Sequence, residues 1–462
     1  MKRTFLLTLL FLGTVVGTSQ AQTNFGKMFP DLPGFTTPTN QQLADLAQTQ
    51  LDPNNDSENN CTKTTRTVSG CVFSGFTYFG QFIDHDLTLD LSPSPLSPVD
   101  VTKIPNNRTF KLDLDSLYGG GPSVSPKLYE ADKLHFRVQN PNPNGVRDLP
   151  RNPDGSAILI EGRNDENQII SQIHVAFLLA HNRLIDEGAT FAQAQAKLQQ
   201  HYQYAIVHDY LPHILVPNFV EDEFSKNDKR QSKLMKDLLK KPDFTPQEFA
   251  VSAFRFGHSQ VRRAYELNED TGKLQVFSFA DPFASLMGGR QIQAGRQIDW
   301  GEFFDDLTDE DPTDINISRK IDPLISSSLF QLPIPGAEAA GSNVLAFRNM
   351  IRGKFYGMPS GQAIARQQGL PEIPASALNL GPGFEGGTPL WYYVLAEASR
   401  TQSGLRLGAL GSRINAAAFA AVLFRDKKAY VNVNKFTLDP RIAGDDGVMT
   451  VSDIFRFAGV AD

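Results

Sequence analysis

Apolar residues recur at three- and four-residue spacing in six stretches: Gln168 to Glu187, Phe191 to Val216, Thr245 to Gln260, Ser342 to Arg352, Pro389 to Ala398 and Gly408 to Phe424. Such spacing gathers apolar side chains on one face of an α-helix, so each stretch predicts a helix packed against a core. Alternation of apolar and polar positions, the mark of a half-buried strand, is rare and short. Proline-rich segments (Ser92 to Pro105, Pro141 to Asp154, Pro333 to Gly336, Pro371 to Pro382) predict ordered surface crossings between helices. The length of 462 residues would by itself suit two or three domains. With no long linker and no internal repeat, the pattern instead predicts a mainly α fold: one large helical domain with few short strands.

The first 21 residues have a different character. Lys2 and Arg3 precede a short apolar run, Phe5 to Val16, and Ser19-Gln20-Ala21 forms a small-x-small cleavage site. This is the form of a secretory signal, which leaves a domain spanning residues 22–462 in a secreted, periplasmic or extracellular setting. No later stretch approaches the ~20 apolar residues needed to cross a bilayer. Losing the signal moves the formal net charge from -7 to -9, which argues against nucleic acid or an anionic membrane as partner. The two cysteines, Cys61 and Cys71, lie in one Thr/Ser/Asn-rich stretch and make neither a metal set nor a CxxC motif. In an oxidising compartment they close one small disulfide loop; otherwise they are free thiols.

The densest chemistry lies in Gly80-Gln81-Phe82-Ile83-Asp84-His85-Asp86, inside an apolar, aromatic-rich segment. At about 100° per residue, a helix here puts Gln81, Asp84 and His85 on one face and turns Asp86 away from them. Burying such a cluster costs several kcal/mol unless each group is partnered. The two faces therefore predict two sites back to back: a reaction pocket and a cation. Oxygen-bearing side chains recur at alternate positions in Thr109-Phe110-Lys111-Leu112-Asp113-Leu114-Asp115, as suits an extended loop around a hard cation. A third segment, Ala253 to Gln260, carries His258. A lone histidine in an apolar helix is more often a satisfied core residue than a ligand. Arg163 and Glu166, three residues apart, read by themselves as a surface pair.

In chain order, GQFIDHD, EGRNDE, AHNRL, HDYLP and FRFGHS resemble the animal-type haem peroxidases of the peroxidase-cyclooxygenase superfamily. The likeness runs from about Phe73 to about Val451, with proportions closer to the compact bacterial members. It implies a large helical haem peroxidase fold that binds haem b, reduces hydrogen peroxide through a ferryl state and oxidises small donors such as phenols, halides or thiocyanate. By the same likeness His258 is the proximal iron ligand, Asn349 the partner of its second nitrogen and an acceptor of its proton, and His85 the distal histidine beside Gln81. Arg163 is the distal arginine. A neutral imidazole can move the peroxide proton, and a permanently charged guanidinium can stabilise the charge that develops as the O–O bond breaks. Asp84 and Glu166 match the carboxylates that form ester links to haem. Asn167 stands where one branch has a methionine, so a third, sulfonium link is not expected. Asp86, Thr109, Asp113 and Asp115, with the Lys111 carbonyl, match a calcium site.

Two other functions fit parts of the chain. Fatty-acid dioxygenases of this scaffold place a radical-forming tyrosine three residues before the proximal histidine, where this chain has Arg255. A non-catalytic module for adhesion or haem sequestration would not need Gln81, His85 and Arg163 together. The remaining histidines (His135, His174, His181, His201, His208, His213) read as structural, and Gly381 to Gly387 lacks the spacing of a phosphate loop. Oligomeric state has no signature in the sequence.

Overall fold

The computed structural model describes residues 23–52, 72–92, 97–241, 243–278, 280–307, 316–332, 343–444 and 447–461. The stretch read as a secretory signal, Cys61, Cys71 and the expected Pro333 to Gly336 crossing lie outside these residues. Helices dominate, as the apolar spacing predicts. Among them are α1 (Asn40–Thr49), α2 (Ser74–Leu87), α3 (Asp115–Tyr118), α4 (Gln168–Asp186) and α5 (Phe191–Ala205). Among the described residues, strands are limited to a parallel pair, Phe25–Gly26 with Thr245–Pro246, and an antiparallel pair, Ala264–Glu266 with Lys273–Gln275. No helix among the described residues is long and apolar enough to cross a membrane.

Local sequence explains where these helices begin. Thr39 caps α1 and Thr190 caps α5, each in a reciprocal capping box with the glutamine three residues on. Asn167 caps α4, its side chain accepting from the Ile170 amide at 3.0 Å. The helix Ala409–Arg425 is buried almost all round, from Leu410 through Leu423. Its run of alanines lets neighbours approach closely, which suits a helix at the centre of the core. Aromatic rings join α2 to α4: Phe82 stacks on Phe177 with centroids 4.8 Å apart.

Two of the six expected helices are broken. The Phe191 to Val216 pattern forms α5, then a π-helical turn at Ile206–Tyr210 and a last turn at Leu211–Ile214. The Thr245 to Gln260 pattern forms a short strand, a π turn at Glu248–Ser252 and a 3-10 helix at Ala253–Ser259. Apolar spacing records which face is buried and does not distinguish these tighter or wider coils from an α-helix. Both breaks deliver side chains, Tyr210 and His258, into the same cavity.

Gly75, in the first turn of α2, lies so close to the Phe304 ring that a Cβ there would collide with it. Gly75→Ala is expected to destabilise the protein by about 1–3 kcal/mol, the usual cost of overpacking a core. Thermal unfolding checks this; an unchanged midpoint would mean that α2 has room to shift.

Candidate active site

A cavity of about 530 Å³ lies where α2, the 3-10 helix carrying His258 and the turn before α4 meet. Gln81, Asp84, His85, Arg163, Glu166 and His258 all line it. Residues from three separate motifs, up to 177 positions apart, therefore share one space. Asp86 turns away, as the helical geometry of α2 requires.

His85 is buried, and its Nδ1 lies 2.7 Å from Oδ1 of Asn164. The Asn164 amide nitrogen in turn reaches Nδ1 of buried His174 at 3.0 Å. In this chain His85 donates through Nδ1–H, which leaves Nε2 as a proton acceptor. Burial, reinforced by Arg163, lowers the His85 pKa to about 3, so its imidazole is neutral at ordinary pH.

Arg163 is tied down on three sides. Its Nε and Nη2 donate to the Glu161 carboxylate at 2.8 and 3.0 Å, and its own backbone amide donates to Glu161 Oε1 at 3.0 Å. Nη2 also reaches the carbonyls of Thr88 at 2.5 Å and His85 at 3.4 Å, at the end of α2. Nη1 points toward Asp84, 3.7 Å away. Burial works against the charge of Glu161, but Arg163 and Arg108 outweigh it and hold the carboxyl well below its ordinary pKa. The surface pair suggested by spacing does not form: Arg163 binds Glu161, and Glu166 accepts from the Gln81 amide. Burial raises the Glu166 pKa to about 7.

His258 follows Gly257, where a Cβ would meet no atom within 4 Å. The space beside Gly257 is open. Asn349, buried on the helix Leu345–Phe355, lies behind His258 with its amide nitrogen 2.9 Å from Nδ1. The sequence predicts an acceptor at this point. Turning the amide by 180° exchanges two atoms of similar size and presents Oδ1 to Nδ1–H, freeing Nε2 as a ligand. Burial, then the Arg255 charge, lowers the His258 pKa to about 3, the neutral form that a metal needs.

On the far side of α2, single oxygens of Asp86, Asp113 and Asp115 lie within 4.8 Å of one another. Asp86 accepts from the Leu114 amide at 3.1 Å and the Ser116 hydroxyl at 3.0 Å. Thr109 donates to Asp113 through its hydroxyl at 2.9 Å and to Asp115 through its amide at 3.2 Å. Phe110 and Leu114 adopt positive φ, which curls the loop around this point. The Lys111 side chain is exposed. Asp115 Oδ1 is buried without a hydrogen bond, and burial raises the pKa of Asp86 and Asp113 and lifts Asp115 to about 7. Three carboxylates this close, two of them buried and Asp113 half-buried, repel one another unless a cation or protons neutralise them.

Several site residues are not foreshadowed by the motifs. Glu161 and Asn164 lie either side of Arg163 inside EGRNDE, where their polarity was the available signal, and Arg108 lies just outside the Thr109 to Asp115 segment. His174 supports His85 through Asn164. Tyr78 and Tyr210, both buried, add two phenols to the cavity wall.

A family model described as animal haem peroxidase matches residues 45–376. Peroxinectin A from Dictyostelium discoideum is 26% identical over 291 residues, covering 57% of this chain and 49% of that protein. Chorion peroxidase from Drosophila melanogaster is 23% identical over 321 residues, covering 64% of this chain and 38% of that protein. The chain thus spans half or less of the curated relatives it matches. Peroxidase A from Dictyostelium discoideum shares the fold with a TM-score of 0.60 at 18% identity, covering 95% of this chain and 93% of that one. A fatty acid alpha-dioxygenase from Oryza sativa shares it at 0.58 and 15% identity, covering 96% and 79%. The family match extends over well more than half of the chain, which belongs to the animal haem peroxidase family.

Proposed function

We propose that this protein is a calcium-containing, secreted haem peroxidase that reduces hydrogen peroxide and oxidises small donors: phenols, bromide, iodide or thiocyanate. The observation that carries the reading is the meeting of two neutral histidines and a fixed arginine in one cavity. The family implies haem, and the residues present fit it. The cavity is of cofactor size, its apolar lining suits a macrocycle, and the bare Gly257 leaves room beside a neutral imidazole. Arg255 lines the same space, its Nε on the Ala250 carbonyl, and can meet a propionate carboxylate.

Bound haem supplies the redox chemistry, taking two oxidising equivalents from peroxide and passing them to donors. His258 would hold the iron through Nε2, and Asn349 would orient that ring through Nδ1. His85 accepts the peroxide proton at Nε2 and returns it to the departing oxygen, which leaves as water. Arg163, held by Glu161, presents a fixed positive charge to the departing oxygen. Asp84 and Glu166 line the wall, which supports the reading that they form ester links to haem, and Asn167 caps α4 and offers no third link. Asp86, Thr109, Asp113, Asp115 and the Lys111 carbonyl form the proposed calcium site; orphaned Asp115 Oδ1 is the feature a cation would satisfy.

The fold likeness to alpha-dioxygenases and the phenols of Tyr78 and Tyr210 favour a second reading, fatty-acid oxygenation. Arg255, three residues before His258, stands against it. Product analysis with linoleate under oxygen separates the two, and a donor panel with peroxide tests the first.

His85→Ala is expected to slow reaction with peroxide by roughly two to four orders of magnitude, the usual worth of a positioned acid–base group. Arg163→Ala acts on the same step, and donor oxidation afterwards changes less. Stopped-flow mixing with peroxide checks both, and unaltered rates would remove these residues from the mechanism.

Asp115 binds a proton more tightly when folded than at its ordinary pKa of 3.8, so the chelated protein holds extra protons between pH 4 and about 7. That contribution to stability is present at low pH and is lost as pH rises to 7. Calcium should therefore raise the unfolding temperature more at pH 7 than at pH 5. Equal midpoints with and without calcium at pH 7 would contradict the site.

Brief peroxide treatment of haem-loaded protein is expected to increase the haem that resists acid–organic extraction. Asp84→Ala with Glu166→Ala should leave all haem extractable, and mass spectrometry should find no sulfonium adduct. Fully extractable haem in the treated wild type would mean that the carboxylates only hydrogen-bond the cofactor.

A further inference from the structure

Between the cation cluster and the cavity stands one guanidinium. Arg108 is 4% exposed, and its Nε and Nη2 donate to Glu161 Oε2 at 3.0 and 2.5 Å. The same Nε lies 3.9 Å from Asp115 Oδ1, the buried oxygen that has no hydrogen bond. Glu161, 1% exposed, holds Arg163 with the same carboxylate. The order Asp115, Arg108, Glu161, Arg163 thus runs without interruption from the cation cluster to the cavity wall, with both central residues out of water.

We propose that Arg108 is a positioning residue that couples cation binding to the placement of Arg163, through competition of Asp115 and Glu161 for one guanidinium. The proposal rests on the reading of the acidic cluster as a cation site. With a cation on Asp115, that carboxylate is satisfied, and Arg108 stays on Glu161. Without it, the unpartnered oxygen of Asp115 draws Arg108 across, and Glu161 loses the cation that balances it against Arg163. In a buried setting such competition is strong, because neither carboxylate has water as an alternative partner. Linkage makes the effect reciprocal: weakening the grip of Glu161 on Arg108 must weaken cation binding.

The test is a double-mutant cycle read by calcium affinity, using calorimetric titration of calcium into the full haem-loaded chain after chelation. Glu161→Gln is expected to weaken calcium about tenfold, because it releases Arg108 toward Asp115. In an Arg108→Gln background the same change should alter affinity by less than about twofold. Arg108→Lys serves as the background if Arg108→Gln fails to fold, since one ammonium lacks the fork that spans both carboxylates. Simple loss of the Glu161 charge would weaken calcium equally in both backgrounds, and that result would overturn the relay. A wild type that binds no calcium would overturn the cation site and the relay together. An intact calcium cycle in a protein without peroxide turnover would support the relay and overturn the proposed reaction alone.

Discussion

Burying a carboxylate costs several kcal/mol unless cations and hydrogen bonds replace its water, and Glu161 meets that condition with two guanidiniums. Its Oε1 takes the Nε and the backbone amide of Arg163; its Oε2 takes Arg108 and the second arm of Arg163. The consequence is a rigid arginine on the wall of a cavity that it shares with Gln81, Asp84, His85, Glu166 and His258. Arg163 then completes a second requirement by donating to carbonyls at the end of α2, where the helix supplies no donors of its own and favours a positive charge.

Helix α2 carries the two halves of the site on adjacent residues. His85 faces the cavity and Asp86 the acidic cluster, so neither can move without the other. Phe79 and Phe82 lock the helix against Phe177 and Tyr202, which fixes the rotation that separates the faces. The imidazole is further held by Asn164, and Asn164 by His174. A proton acceptor in such a frame needs no rearrangement when a substrate arrives, which is the condition for efficient proton transfer.

The parts of this arrangement legible in the sequence are the local ones. GQFIDHD shows its two faces because helical geometry alone separates Asp84 and His85 from Asp86. The long helices from Gln168 and Gly408 are legible because burial imposes a regular apolar spacing. Glu161 was not legible as the anchor of Arg163, since its second partner, Arg108, lies 53 residues away. Asn164 reaches His85 across 79 residues, for the same reason. The irregular coil around His258 was hidden because Gly257 and the π turn before it keep the apolar pattern of an α-helix. The closeness of Glu166 to Gln81, rather than to Arg163, follows from a 3-10 turn at Gly162–Asp165 that spacing rules for an α-helix do not describe.

Peroxidase chemistry on this frame depends on haem iron being held by His258 while His85 remains free to exchange protons. Resonance Raman spectroscopy of the reduced, haem-loaded protein reads that assignment directly through the iron–histidine stretching band. The band is expected in the wild type and in His85→Ala, absent in His258→Ala, and restored there by added imidazole. A band that survives in His258→Ala without added imidazole, or disappears in His85→Ala, would contradict the assignment of the two histidines.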